Sequence, residues 1–277
     1  MAIQFVGSLN ITKGTTVNAN VNINLTALTG GIDTAARAGD LVIIANQTAD
    51  TNSAPATINI KDPSGTAYTT AGSQLYANDT TDINLLVGYK VMGSTPDATA
   101  TFAQSTSVVH GGFATAYVFR GVDPNNPMDV AAVTAQGGNS ANVAPASITP
   151  VTAGAVICIA GATGHQVGAV NVGGTSYLSN VLAQNYNSTT DCSAAMGHVA
   201  WTSGAYSPAA WTLAGSALAH CWAAVTMALR PAPGGGNIKV WNGSAWTAKP
   251  VKFWNGSAWI TKPMKRWNGS AWITLPY

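Results

Sequence analysis

Apolar and polar residues alternate most clearly near the start of the chain. Val17, Ala19, Val21, Ile23 and Leu25 interleave with Asn18, Asn20, Asn22 and Asn24. A period of two predicts a half-buried β-strand with an asparagine ladder on its wet face. Further strands are expected at Leu41–Ala45, Thr57–Ile60, Ile83–Met92, Thr99–Phe102, Ala114–Phe119, Val156–Ala160 and Ala219–Leu229. The last is a long apolar run and predicts a central strand. Turn chemistry separates these segments: Asp62-Pro63-Ser64-Gly65, Gly111-Gly112, Asp123-Pro124-Asn125-Asn126-Pro127 and Gly173-Gly174. No segment sustains a helical period. Many short strands with regular turns predict an all-β protein, a β-sandwich or jelly-roll-like domain over 1–230, with 1–34 as an N-terminal strand or arm. The connections 131–153 and 184–197 read as loops or irregular edge strands.

Past Leu229 the pattern changes. Residues 231–237 are proline- and glycine-rich and read as a linker. Residues 238–277 then repeat a motif every 13 positions: Trp241-Asn242-Gly243-Ser244-Ala245-Trp246, Trp254-Asn255-Gly256-Ser257-Ala258-Trp259 and Trp267-Asn268-Gly269-Ser270-Ala271-Trp272. Asn-Gly predicts the positive φ angles of a tight hairpin turn, with the two tryptophans facing each other across the strands. Strand alternation places Lys239, Lys252 and Lys265 on the face of the tryptophan that follows each. Three small β-hairpins form too little core to stand alone, so they are expected to pack on the body, on symmetry-related copies or on a partner.

Composition sharpens this picture. Charged residues make up 8% of the chain, and there is no glutamate. The wet surface is therefore built from Ser, Thr, Asn, Gln and Gly, as in extracellular and virion β-proteins. All ten acids precede residue 192, whereas 231–277 carries Lys239, Lys249, Lys252, Lys262, Lys265 and Arg266 and no acid. Such local basicity suits an anionic partner, or else it solubilises a tryptophan-rich segment. No basic leader precedes an apolar run at the N-terminus, and no stretch is long and apolar enough for a membrane helix, so membrane insertion is not expected.

Catalytic chemistry is hard to assemble from these residues. The chain lacks a nucleophile elbow, a phosphate loop and any His-Glu-x-x-His or Cys-x-x-Cys motif, and His110, His165, His198 and His220 are widely spaced. Two aspartates acting on a glycoside remain conceivable. Asp123-Pro124-Asn125-Asn126-Pro127-Met128-Asp129 and Asn78-Asp79-Thr80-Thr81-Asp82 hold oxygen ligands at calcium-like density, but each reads better as a turn. No catalytic residue, metal ligand or cofactor is assigned. Cys158 and Cys221 read as small buried hydrophobes, and Cys192 as exposed. The candidate binding residues are Trp241, Trp246, Trp254, Trp259, Trp267 and Trp272 with Lys239, Lys252 and Lys265. Three readings stay open for them: stacking on glycan rings, docking to another subunit, or cross-strand glue for short hairpins.

Two stretches carry a resemblance. Gly39-Asp40-Leu41-Val42-Ile43-Ile44, Leu85-Leu86-Val87-Gly88-Tyr89-Lys90-Val91 and Ala116-Tyr117-Val118-Phe119-Arg120-Gly121-Val122-Asp123-Pro124, with the terminal apolar strand, resemble a sandwich module common in phage tail-associated proteins and bacterial surface proteins. The Trp-Asn-Gly-Ser-Ala-Trp repeats resemble the C-terminal tails of phage minor tail proteins. The long 131–197 region departs from the pattern. The resemblance implies a bacteriophage virion setting with an adhesive or architectural role: a tail-associated fibre, tail-tip or minor tail protein. The alternatives are a capsid decoration or head-fibre protein, and a carbohydrate-binding module or glycan-active enzyme. The expected partners are other virion proteins, further copies of the chain in a homo-oligomer such as a trimer, and a host-surface glycan. Nucleic acid is not among them.

Overall fold

A computed structural model describes residues 2–13, 21–50, 55, 57–79, 82–104, 112–140, 142–164, 177–183, 193–212, 220–233, 238–249, 251–262, 265–267 and 272–274. These residues are all β, in a sandwich-like arrangement of antiparallel sheets. The strands of the body are β1 (Gln4–Lys13), β2 (Val21–Asn24), β3 (Leu41–Asp50), β4 (Ile58–Lys61), β5 (Thr69–Thr70), β6 (Leu75–Ala77), β7 (Asp82–Val91) and β8 (Thr99–Gln104). They continue with β9 (Gly112–Arg120), β10 (Val133–Ser140), β11 (Asn142–Val143), β12 (Val156–Thr163), β13 (Ser179–Ala183), β14 (Ser193–Ala200), β15 (Trp211–Thr212) and β16 (His220–Leu229).

The sandwich has three layers rather than two. A middle sheet runs β1-β9-β3-β7-β5, with β6 also paired to β7. One face of it packs on the sheet β10-β16-β12-β14-β13, and Leu41, Ile43, Tyr117 and Phe119 meet Cys158, Met196, Val225 and Met227 there. Its other face packs on the small sheet β2-β8-β4, where Val42, Ile44, Ala116 and Val118 meet Ile23, Leu25, Ile60 and Phe102. Successive side chains of β3 thus enter different cores, which is why this strand is a continuous apolar run. The buried Tyr117 hydroxyl crosses the first interface and donates to the Met196 carbonyl, 2.5 Å away. The outer face of the β16 sheet is covered in turn by the β11–β15 ladder, with Trp211 fully buried against Ile157 and Ile159.

Each of the eight predicted strand segments, in its described part, falls on a strand. Ala219–Leu229 corresponds to β16, which lies between β10 and β12 and is buried along its whole length. In the alternating stretch, β2 buries Ile23 and exposes Asn22 and Asn24, while residues 17–20 lie outside the described residues. Of the long connections, the first holds an irregular edge strand as expected: residues 133–140 form β10 at a sheet edge, with a register slip between Gly137 and Ser140. The second needs correction, because 193–200 form β14 one strand in from the other edge. Small residues hide both strands from a hydrophobic pattern. Gly137 of β10 lies beneath the Trp222 indole, where a Cβ would meet Nε1 at 2.9 Å. The N-terminal arm is β1, whose alternation slips at a bulge between Phe5 and Gly7.

The few charges of the body mostly serve as internal clips. The Arg120 guanidinium forks onto buried Asp40, with Nε and Nη2 each 2.9 Å from a carboxylate oxygen. Lys90 bridges Asp62 and Asp97, each at 2.7 Å. This Lys90 bond, with Ser64 and Thr66 donating as well, holds the Asp62 carboxyl well below the usual carboxylate range. The calcium-like loop spends its oxygens on its own chain. Asp123 accepts from the Asn125 amide, and Asp129 accepts from the amides of Val151 and Thr152 and from Arg230. Pro231 bridges Val122 and Ala232 is buried, with its amide donating to Gly121 at 2.7 Å, so the body reaches two residues into the 231–237 segment.

Candidate functional site: the tandem tryptophan hairpins

Each repeat folds into its own two-stranded ladder. The first joins β17 (Ile238–Trp241) to β18 (Trp246–Lys249), the second β19 (Lys252–Trp254) to β20 (Trp259–Thr261), and the third β21 (Lys265–Trp267) to β22 (Trp272–Thr274). The register pairs Trp241 with Trp246, Trp254 with Trp259 and Trp267 with Trp272, as the alternation predicts.

The turn differs in detail from the expected one. Gly243 and Gly256 take positive φ, +102° and +103°, but Asn242 and Asn255 do not. Instead the asparagine side chain builds the turn. Asn242 Oδ1 accepts from the amides of Ser244 at 2.9 Å and Ala245 at 2.8 Å, while the Asn242 amide donates to the Ala245 carbonyl at 3.0 Å. Asn255 repeats the arrangement. Asparagine suits this position because its carboxamide oxygen replaces the main-chain acceptor. The same bonds commit that oxygen to the turn, so it is not the sugar contact that its place beside tryptophan suggests.

Bonding between residues 242 and 245 makes the next position out, Trp241/Trp246, a non-hydrogen-bonded pair, where side chains approach most closely. The indoles meet there at 59° with centroids 5.9 Å apart, and the other two pairs show the same angle at 5.8 Å. A tilted contact of this kind contributes roughly 0.5–1.5 kcal/mol beyond burial. That matters in a two-stranded ribbon, which is marginal in water by itself.

The six indoles hold each other but remain wet. Their exposures run from 52% at Trp254 to 65% at Trp246. Lys252 and Lys265 are exposed on the tryptophan faces of their hairpins, and Lys239 pairs in the backbone register with Ala248. The opposite face of the second hairpin carries Phe253 across from Ile260, with Lys262 Nζ 4.7 Å from the Phe253 ring centroid. Sequence reading missed this rear cation–π contact. Its signal was the lysine three places after the second tryptophan, at Lys249 and again at Lys262.

The remaining candidates in the body do not gather into a second site. Among the described residues no three of His, Cys, Asp and Glu come together as a metal-binding group. His198 packs between Phe5 and Phe119, and burial pushes its pKa down to about 4. Cys158 and Cys221 are buried thiols whose ionisation burial suppresses, while Cys192, His110 and His165 lie outside the described residues. No protein-family model matches the chain, and neither a curated protein nor a solved structure matches it.

Proposed function

We propose that this protein is a structural and adhesive component of a bacteriophage virion. In this reading it is tail-associated, as a fibre, tail-tip or minor tail protein, and it contacts the host surface through its C-terminal hairpins. One observation carries the proposal: six indoles are locked into three pairs of the same geometry and left more than half exposed. Exposed apolar area on this scale invites aggregation unless an assembly or a ligand uses it. A body surface poor in charge, and the resemblance of the repeats to minor tail protein tails, support the virion setting.

Particle imaging tests the proposal. An antibody against the body should decorate the tail of purified particles, at a few to tens of copies each. Labelling of the shell at hundreds of copies would make the protein a capsid decoration instead. Absence from purified particles would reject the virion role.

A further inference from the structure

The three hairpins share more than a motif. The indole pairs agree to 0.1 Å in centroid distance and share one interplanar angle, and the turns of the first two hairpins repeat bond for bond. Only two residues separate β18 from β19, and three separate β20 from β21. A unique protein surface offers no reason to present one site three times in close succession, whereas a polymer of repeating units does. The chemistry of each unit narrows the polymer. An exposed indole face suits the C–H face of a pyranose ring. A lysine lies two residues before the first tryptophan of every unit, and 231–277 holds six cations and no acid. Five of the six are lysine, a point charge suited to scattered carboxylates rather than the planar fork that dominates nucleic-acid recognition. The indoles of a pair also meet at 59°, which leaves no parallel slot for a flat base.

We infer that the tandem hairpins form a multivalent site for an acidic polysaccharide. Each unit stacks a sugar ring on indole and places a front lysine, Lys239, Lys252 or Lys265, against the carboxylate of that sugar or its neighbour. The rear lysine of the second hairpin is engaged over Phe253, so the lysine assigned to the ligand is the front one, beside the indoles. This inference deepens the adhesive reading and rests on it for its biological setting, but it is testable on the purified chain alone. Individual sites of this kind are weak, and affinity comes from engaging two or three together through high effective concentration.

The experiment is affinity electrophoresis of the full chain through gels containing polygalacturonate, hyaluronan, neutral dextran or poly(dT). Retardation by either acidic polysaccharide, weakened by salt and absent with dextran, is the expected result. Oligogalacturonides too short to reach a second hairpin should compete at least tenfold more weakly per sugar than long ones. The triple variant Lys239→Gln, Lys252→Gln, Lys265→Gln should lose most of the retardation while keeping the exciton-coupled circular dichroism of its paired indoles, so that loss of folding is distinguished from loss of the site. Trp241→Ala, Trp254→Ala, Trp267→Ala should lose both. Three outcomes would overturn the inference: no retardation by either acidic polysaccharide, equal retardation by dextran, or stronger retardation by poly(dT). None of them bears on whether the protein is found in particles. Conversely, an unaltered chain that binds no acidic polysaccharide, together with a triple lysine variant that fails to enter particles, would make the hairpins a subunit dock, and would overturn the inference while leaving the virion role intact.

Discussion

At the scale of single residues, this chain places small side chains where large ones need room. Gly161 of β12 is the sharpest case. A Cβ there would meet the ring of fully buried Trp211 at 2.5 Å, with two more ring atoms close behind. Gly161→Ala should therefore lower stability by about 1–3 kcal/mol through overpacking, read from denaturant midpoints at unchanged slope. His198 gives a second prediction. Its ring stands 4.7 Å from Phe5, and Nε2 lies 3.1 Å from Asn180 Nδ2, an arrangement that suits the neutral imidazole. Burial lowers its pKa from 6.5 to about 4 in the fold. As the pH falls below 6.5 the unfolded chain takes up a proton that the folded chain refuses. Stability contributed by neutral His198 is thus complete above pH 6.5 and is lost as the pH falls through about 4. The folded protein should be less stable at pH 5 than at pH 7, and His198→Phe, which cannot titrate, should shrink that difference. An unchanged difference would place the pH dependence elsewhere.

At the scale of elements, the body should fold without the hairpins, provided the cut respects Ala232. The main chain of Arg230 bonds to Asp123 and Pro127, Pro231 bridges Val122, and Ala232 is buried. A chain ending at 233 should melt cooperatively at the temperature of the full chain. One ending at 230 should melt lower, because it loses the Ala232–Gly121 bond and the buried methyl. Equal melting of both would mean that the clip adds nothing. The elements legible in the sequence were those whose side chains carry the burial themselves. Ile23 and Leu25 announce β2, and the apolar run into Leu229 announces β16. Strand β10 stays silent because Trp222 of its neighbour supplies the bulk over Gly137, and β14 because Leu178 and Val181, beside and within the neighbouring β13, supply the bulk over Gly197. A pattern read along one strand does not register bulk donated by the next. In the hairpins, the indole pairing was legible from Asn-Gly flanked by tryptophan. The role of the asparagine oxygen was not, because a turn acceptor and a ligand contact leave the same residue in the sequence.

At the scale of the whole molecule, self-association is the expected behaviour, as a trimer. The surface carries little charge to keep copies apart, and a protein built into a symmetric particle presents the same patch on every copy. Light scattering of the full chain at micromolar concentration should give about three times the 28.2 kDa chain mass; a lone monomer would count against a preassembled oligomer. The layering described above also sets an order of events in time. Strands β3, β7 and β9 lie at the centre of the middle sheet, with a layer on either side. Their amides meet solvent only after the molecule has come apart on both faces, an opening that approaches global unfolding. In deuterated water the hairpin amides should exchange first and those of the outer sheet β2-β8-β4 next. The β3, β7 and β9 amides should exchange last, at a rate that follows total stability. The destabilising Gly161→Ala change, made one sheet away, should then quicken exchange in β3, because the middle sheet keeps time for the whole body.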